Sequence, residues 1–93
     1  MKFIKLIKAG LNKEEIEVID NAVYDVIRNF KKITGIDIYD VFNKPEDGES
    51  IFNDDVISET APKILKYVYD KYDIDNNEFL YYLDNELESL YPY

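Results

Sequence analysis

Residues 12–35 read NKEEIEVIDNAVYDVIRNFKKITG, and this stretch decides the fold. Ile16, Ile19, Val23, Val26, Phe30 and Ile33 recur at alternating spacings of three and four. That period puts them on one face of an α-helix of about five turns. Ala22 and Ile27 widen the stripe to the breadth a globular core needs. Asn12 stands at the N-cap with Glu15 in the capping-box position, and Gly35 supplies the residue that ends such a helix. The expected element is one continuous bundle helix. The alternative for the same stripe is an oligomer seam.

Upstream, MKFIKLIKAG places Lys2, Lys5 and Lys8 on one side of a helical wheel and Phe3, Ile4, Ile7 and Leu11 on the other. This predicts a short amphipathic helix ending at Gly10. The lysines interrupt the apolar run, and no small-residue cleavage site follows it, so a signal peptide is not expected. No segment has the length of a membrane span. Basic amphipathic helices bind anionic lipid, but the chain's overall charge opposes that here.

Downstream, residues 36–52 are ambiguous. Ile36-Asp37-Ile38 alternates like a strand, yet Asp37 equally suits the cap of a short helix through Phe42. Pro45-Glu46-Asp47-Gly48 is a turn. Helical spacing resumes with Val56, Ile57, Ala61, Ile64, Leu65, Val68 and Tyr72. Pro62 interrupts it, because an interior proline removes a donor and clashes with the preceding turn. The expectation is a short helix, a break, and a fresh helix from Ala61 capped by Thr60; one bent helix is the alternative. Asp75, with Glu78 three residues on, predicts the cap of a last helix. Its buried stripe is Phe79, Leu80, Leu83, Leu87 and Leu90. Tyr81, Asp84, Asn85 and Glu88 share its expected exposed flank. The fold class is therefore all-α, a compact bundle of four to five helices in a single domain spanning residues 1–93. A chain this small is only marginally self-sufficient, which leaves room for a homodimer.

Charge divides the chain unevenly. Residues 1–36 carry seven bases and five acids, and residues 37–93 carry fifteen acids and four bases. From Tyr72 to Tyr93 there are six acids, five tyrosines and no base. The net charge is −9, yet 46% of residues are hydrophobic and 15% aromatic, too apolar a composition for a disordered acidic tail. Such a surface repels nucleic acid and anionic membranes and attracts a basic partner.

The chain has no histidine and no cysteine. The commonest general base near neutral pH and the commonest metal ligand are thus missing, and a reducing cytoplasm suits the composition. There is no Gly-rich phosphate cradle and no nucleophile elbow. Asp73-Ile-Asp75-Asn-Asn77 copies the first ligand positions of a calcium loop, but Glu78 stands where the loop needs glycine and Asp84 where it needs a bidentate glutamate. The expectation is a non-enzyme without metal or cofactor.

Asp84 and Glu88 are helical neighbours about 5–6 Å apart at their β-carbons, a spacing on the scale of phosphates along a nucleic-acid strand. With Asp70, Asp73 and Asp75 near them in sequence, they offer a basic groove the potential of a nucleic-acid backbone. Tyr81 adds the contact area typical of interface hot spots. The expected partner-binding set is Asp70, Asp73, Asp75, Tyr81, Asp84 and Glu88. The expected partner is a basic nucleic-acid-handling enzyme or nuclease. Acidity that serves only solubility is the plainer explanation.

Asp55-Val-Ile-Ser-Glu-Thr-Ala61, followed by apolar and tyrosine positions and a second acidic helix, resembles the phage overcome-restriction proteins. That resemblance implies an acidic helical DNA mimic that occupies the DNA groove of a restriction enzyme; the basic N-terminal third departs from it. Tyr72-Asp-Ile-Asp-Asn-Asn-Glu-Phe-Leu-Tyr-Tyr-Leu-Asp-Asn-Glu-Leu-Glu-Ser-Leu90, and more loosely Phe3 to Phe30, is similar to the colicin-D-type immunity proteins. That resemblance implies a blocker of a nuclease toxin. Both imply a decoy on a nucleic-acid-handling surface. A phage anti-restriction or anti-CRISPR inhibitor is the first expectation, an immunity protein the second, and a structural protein oligomerising through the Ile16–Ile33 helix the third.

Overall fold

The computed structural model describes residues 13–47, 50–75 and 77–92. The expected N-terminal helix, the Asn12 cap, Gly48 and Tyr93 lie outside the described residues. The architecture is all-α. Its elements are α1 (Lys13–Arg28), α2 (Phe30–Thr34), α3 (Asp54–Tyr72) and α4 (Phe79–Glu88), with two 3-10 turns, Ile38–Val41 and Pro45–Asp47, between α2 and α3.

The stripe of residues 12–35 forms the core as expected. Ile19, Val23, Val26 and Phe30 are buried, Ala22 fully so. Ile16 is the exception, 41% exposed. The helix is not regular throughout, however. Asn29 divides α1 from α2 with φ −112° and ψ 21°. Its side chain donates to the Asp25 carbonyl at 3.1 Å and to the Asp25 carboxylate at 2.7 Å. The main-chain bonds from the Asn29 N–H to the Asp25 carbonyl (3.0 Å) and from the Ile33 N–H to the Asn29 carbonyl (2.9 Å) persist, so the chain kinks at Asn29 rather than breaking. Gly35 then ends α2 with φ 79°, its N–H donating to the Lys31 carbonyl at 2.7 Å.

Asp37 caps the short helix rather than opening a strand. Its carboxylate accepts from the Tyr39 N–H at 2.9 Å, and a 3-10 turn follows. An antiparallel bridge pairs Phe42 with Phe52. The Asn43 amide closes this loop by donating to the Ser50 and Phe52 carbonyls, both at 3.0 Å.

The expected break at Pro62 is absent. Asp54–Tyr72 is one helix with Pro62 inside it. Asn53 caps it, its side chain accepting from the Asp55 and Val56 N–H groups. Thr60 caps nothing: it is buried, and its hydroxyl donates to the Ile57 carbonyl at 3.2 Å. Pro62 lies on the exposed side, where water can serve the carbonyl that loses its donor. Burial of Ile64 and Val68 just beyond it holds the helix in place.

Asp73 ends α3 in the left-handed conformation, φ 58°, a region aspartate tolerates better than most residues. Ile74 then turns into the core. The last helix starts later than the Asp75 cap predicts. Glu78 holds the N-cap position without a side-chain capping bond, and α4 begins at Phe79. Its stripe is as expected, with Phe79, Leu83 and Leu87 buried and Leu80 and Leu90 packed against them.

The helices run antiparallel about α3. Asp25 of α1 meets Lys71 near the end of α3, whereas Thr34 of α2 meets Lys63 in its middle. Tyr91, just past α4, packs edge-on against Phe42, which stacks on Phe52 just before α3. The C-terminal end of α4 therefore lies at the N-terminal end of α3. No helix of the described residues is long and apolar enough to cross a membrane.

Candidate functional site

The exposed flank of α4 is the first candidate. Tyr81, Asn85 and Glu88 are exposed on it. Tyr81, in the first turn, is 62% exposed, and its ring meets Tyr82 edge-on at 6.1 Å. Burial comes first in pushing the Tyr82 hydroxyl pKa up, and Glu78 and then Tyr81 add to it. Glu88 lies seven residues on from Tyr81, about 10 Å along the axis. Asp73 and Asp75 are exposed in the connection that leads into the Tyr81 end.

Two of the expected residues stand elsewhere. Asp84 is half-buried rather than on the exposed flank. It lines a small hollow with Phe30, Thr60, Ala61 and Leu87. Desolvation there, and secondarily the charge of Glu88, push its pKa up. Asp70 belongs to another surface. It lies six residues beyond Ile64, about 120° round α3 from the side that α4 covers. There it pairs with Lys66 at 2.9 Å, both side chains exposed.

That other surface is the second candidate, an open groove of about 500 Å³ between α2 and α3. Lys32, Lys63, Lys66 and Lys71 line it together with Tyr67 and Ile33. At its end lies Asp25, only 3% exposed. The Asp25 carboxylate accepts from the Lys71 ammonium at 2.7 Å, the Tyr72 hydroxyl at 2.6 Å, the Tyr67 hydroxyl at 3.0 Å and the Asn29 amide at 2.7 Å. Burial alone would raise its pKa, but these four donors outweigh it, with Lys71 foremost, and hold the carboxyl well below the usual range. Lys71 is held above its ordinary value, chiefly by its bond to Asp25 and next by Tyr67. Its ammonium also lies 5.6 Å from the ring centroids of both Tyr67 and Tyr72, within cation–π range. Asp25 therefore stays ionised at neutral pH with its acceptor sites taken, the condition of a structural anchor.

No protein-family model matches this chain, and no curated protein or solved structure matches it.

Asp25 is not among the residues that the sequence singles out. One signal pointed to it. Ala22, Asp25, Val26 and Asn29 follow one another at steps of three, one and three, so Asp25 sits on the shoulder of the apolar stripe. Its partners Tyr67 and Lys71 are i,i+4 neighbours on a helix far along the chain, and nothing local ties them to it.

Proposed function

We propose that this protein is a small acidic inhibitor that docks the exposed flank of α4 onto a basic, nucleic-acid-binding surface and competes with the nucleic acid held there. A phage-type anti-defence role, against a restriction or CRISPR nuclease, is the form favoured here. The observation that carries the proposal is the composition and exposure of one rigid element. α4 and the connection before it present Asp73, Asp75, Tyr81 and Glu88 to solvent, and no base occurs from Tyr72 to Tyr93.

Rigid presentation matters because ordering an acidic segment at the moment of binding costs conformational entropy. Here Phe79, Leu83 and Leu87 already hold α4 against the core. Tyr81 supplies an amphipathic anchor, and the acids steer the encounter. α1 adds to the negative field: Glu14, Glu17 and Asp20 are exposed on it, and no base occurs from Glu14 to Ile27. The oligomer-seam alternative has less to work with, since Ile19, Val23, Val26 and Phe30 are packed inside the chain's own core.

The test is a capture experiment with tagged protein, washed through a salt gradient and challenged with free DNA or RNA. Recovery of a nucleic-acid enzyme that elutes as salt rises and is displaced by nucleic acid supports the proposal. A captured toxin nuclease assigns the immunity role, and a defence nuclease the anti-defence role. Recovery of only the protein itself at every salt concentration, or binding that survives the double reversal Asp75→Lys with Glu88→Lys, refutes the proposed face.

A further inference from the structure

We infer that the groove between α2 and α3 is a binding site for a small dianionic ligand, a phosphate monoester carrying a planar body. It shares no residue with the α4 flank. Four lysines meet in it, on a protein whose net charge is −9. Like charges do not gather by default on an acidic surface, so the way each is neutralised decides what the groove attracts.

Lys71 is matched by Asp25, and Lys66 by Asp70. Lys63 donates to the Thr34 carbonyl at 3.1 Å, at the C-terminal end of α2. A carbonyl accepts the hydrogen bond but carries no full charge to cancel the ammonium. Lys32 makes no hydrogen bond or ion pair with any described residue. Two ammonium groups therefore stand in the groove without a carboxylate. Asp25 cannot serve them, since its oxygens already accept from four donors.

An excess of two positive charges is neutralised by a dianion. A phosphate monoester carries about −1.5 to −2 at pH 7 and offers three acceptor oxygens. Each lysine ammonium has three donors and uses only some of them internally. The volume, about 500 Å³, falls within the range of small-molecule sites. Ile33 and the Tyr67 ring provide apolar lining beside the lysines, a surface suited to a planar group. A long polyanion is a poor fit, because the acidic surfaces of α1 and α4 repel its remaining charges.

Asp70 acts as the internal competitor. It holds Lys66 at 2.9 Å on an exposed, easily exchanged pair, and an arriving phosphoryl group releases Lys66 from it. This gives the site a signature of opposite signs.

The experiment is an amide-resolved NMR titration of the whole chain with adenosine 5′-monophosphate at low salt, with adenosine and inorganic phosphate as separate probes. Expected are saturable one-to-one binding, shifts concentrated on α2 and the second half of α3, and no saturation by adenosine. Lys32→Ala, and Lys63→Met, which keeps its apolar stem, each weaken binding about tenfold, the loss of one charge-assisted hydrogen bond. Asp70→Asn tightens it severalfold. No saturation by about 10 mM nucleotide, weaker than any useful specific site, overturns the inference. So do shifts centred on α4, indifference to both lysine substitutions at unchanged Tm, or weakening by Asp70→Asn.

Discussion

The α4 flank and the α2–α3 groove are both charged, and they differ in how the fold balances that charge. In the groove a buried carboxylate is surrounded by donors, and its pKa falls well below the ordinary range. On α4 the acids stand among other acids, and Asp84 moves the opposite way, pushed up by burial and by Glu88. The groove uses much of its charge to hold α1 against α3. The proposed flank instead presents Tyr81 and Glu88 to solvent. Substitutions should therefore separate the two regions, the groove reporting in stability and the flank in binding.

The largest effect is expected from Asp25→Ala. It strands the Tyr72 and Tyr67 hydroxyls and removes the counter-charge of Lys71. The expected loss is about 3 kcal/mol of unfolding free energy, measured by urea denaturation. A loss below about 0.5 kcal/mol, typical of surface sites, would erase the distinction between the regions. Next comes Tyr81→Ala, expected to cost about 2 kcal/mol of partner binding while leaving the urea midpoint nearly unchanged. A fall in stability with intact binding would move Tyr81 from the interface to the fold.

A subtler prediction uses pH. The Asp25 carboxyl is lowered in the folded state, so its stabilisation is fully present above the unfolded carboxylate pKa of about 4. It is lost as pH falls below that, toward the folded value. Lys71 is raised, so its share persists up to the unfolded lysine pKa of about 10.4 and is lost as pH rises beyond it. The stability difference between wild type and Asp25→Asn should be flat from about pH 5 to 9 and shrink toward pH 3. An unchanged difference at acid pH would mean that shape rather than charge holds the cluster.

The smallest effect is expected from Asp84→Asn. Its raised pKa means that the ionised form opposes folding at neutral pH. The substitution should raise Tm slightly at pH 7, and the gain should vanish in acid, where the native carboxyl is protonated anyway. A lower Tm at pH 7 would show that the charge is compensated in the hollow.

Much of the fold was legible because helical periodicity is a local property. The Ile19-Val23-Val26-Phe30 and Phe79-Leu83-Leu87 stripes became the core, and Gly35 ended its helix. Pro62 misled because its cost depends on which side of the helix faces water. Asp75 marked the last helix only approximately, since regular α-helix begins at Phe79. The site was less legible. Tyr81 and Glu88 are exposed as their helical phase predicts. Asp84 sits half-buried beside Glu88, and Asp70 is a neighbour of that flank only in the linear chain.

By itself the sequence determined the all-α class, the stripes that build the core, the acidity, and the absence of histidine and cysteine chemistry. Each of these follows from composition or from contacts within a few residues. Tertiary structure alone decided where the charges meet. The linear division into a basic first third and an acidic remainder does not survive folding. α1 is acidic from Glu14 to Ile27, while Lys63, Lys66 and Lys71 of the acidic part join Lys32 in one groove. Asp25 and Lys71 are 46 residues apart in the chain and 2.7 Å apart in space. Electrostatic energy depends on distance and burial, and both are set only when the helices pack.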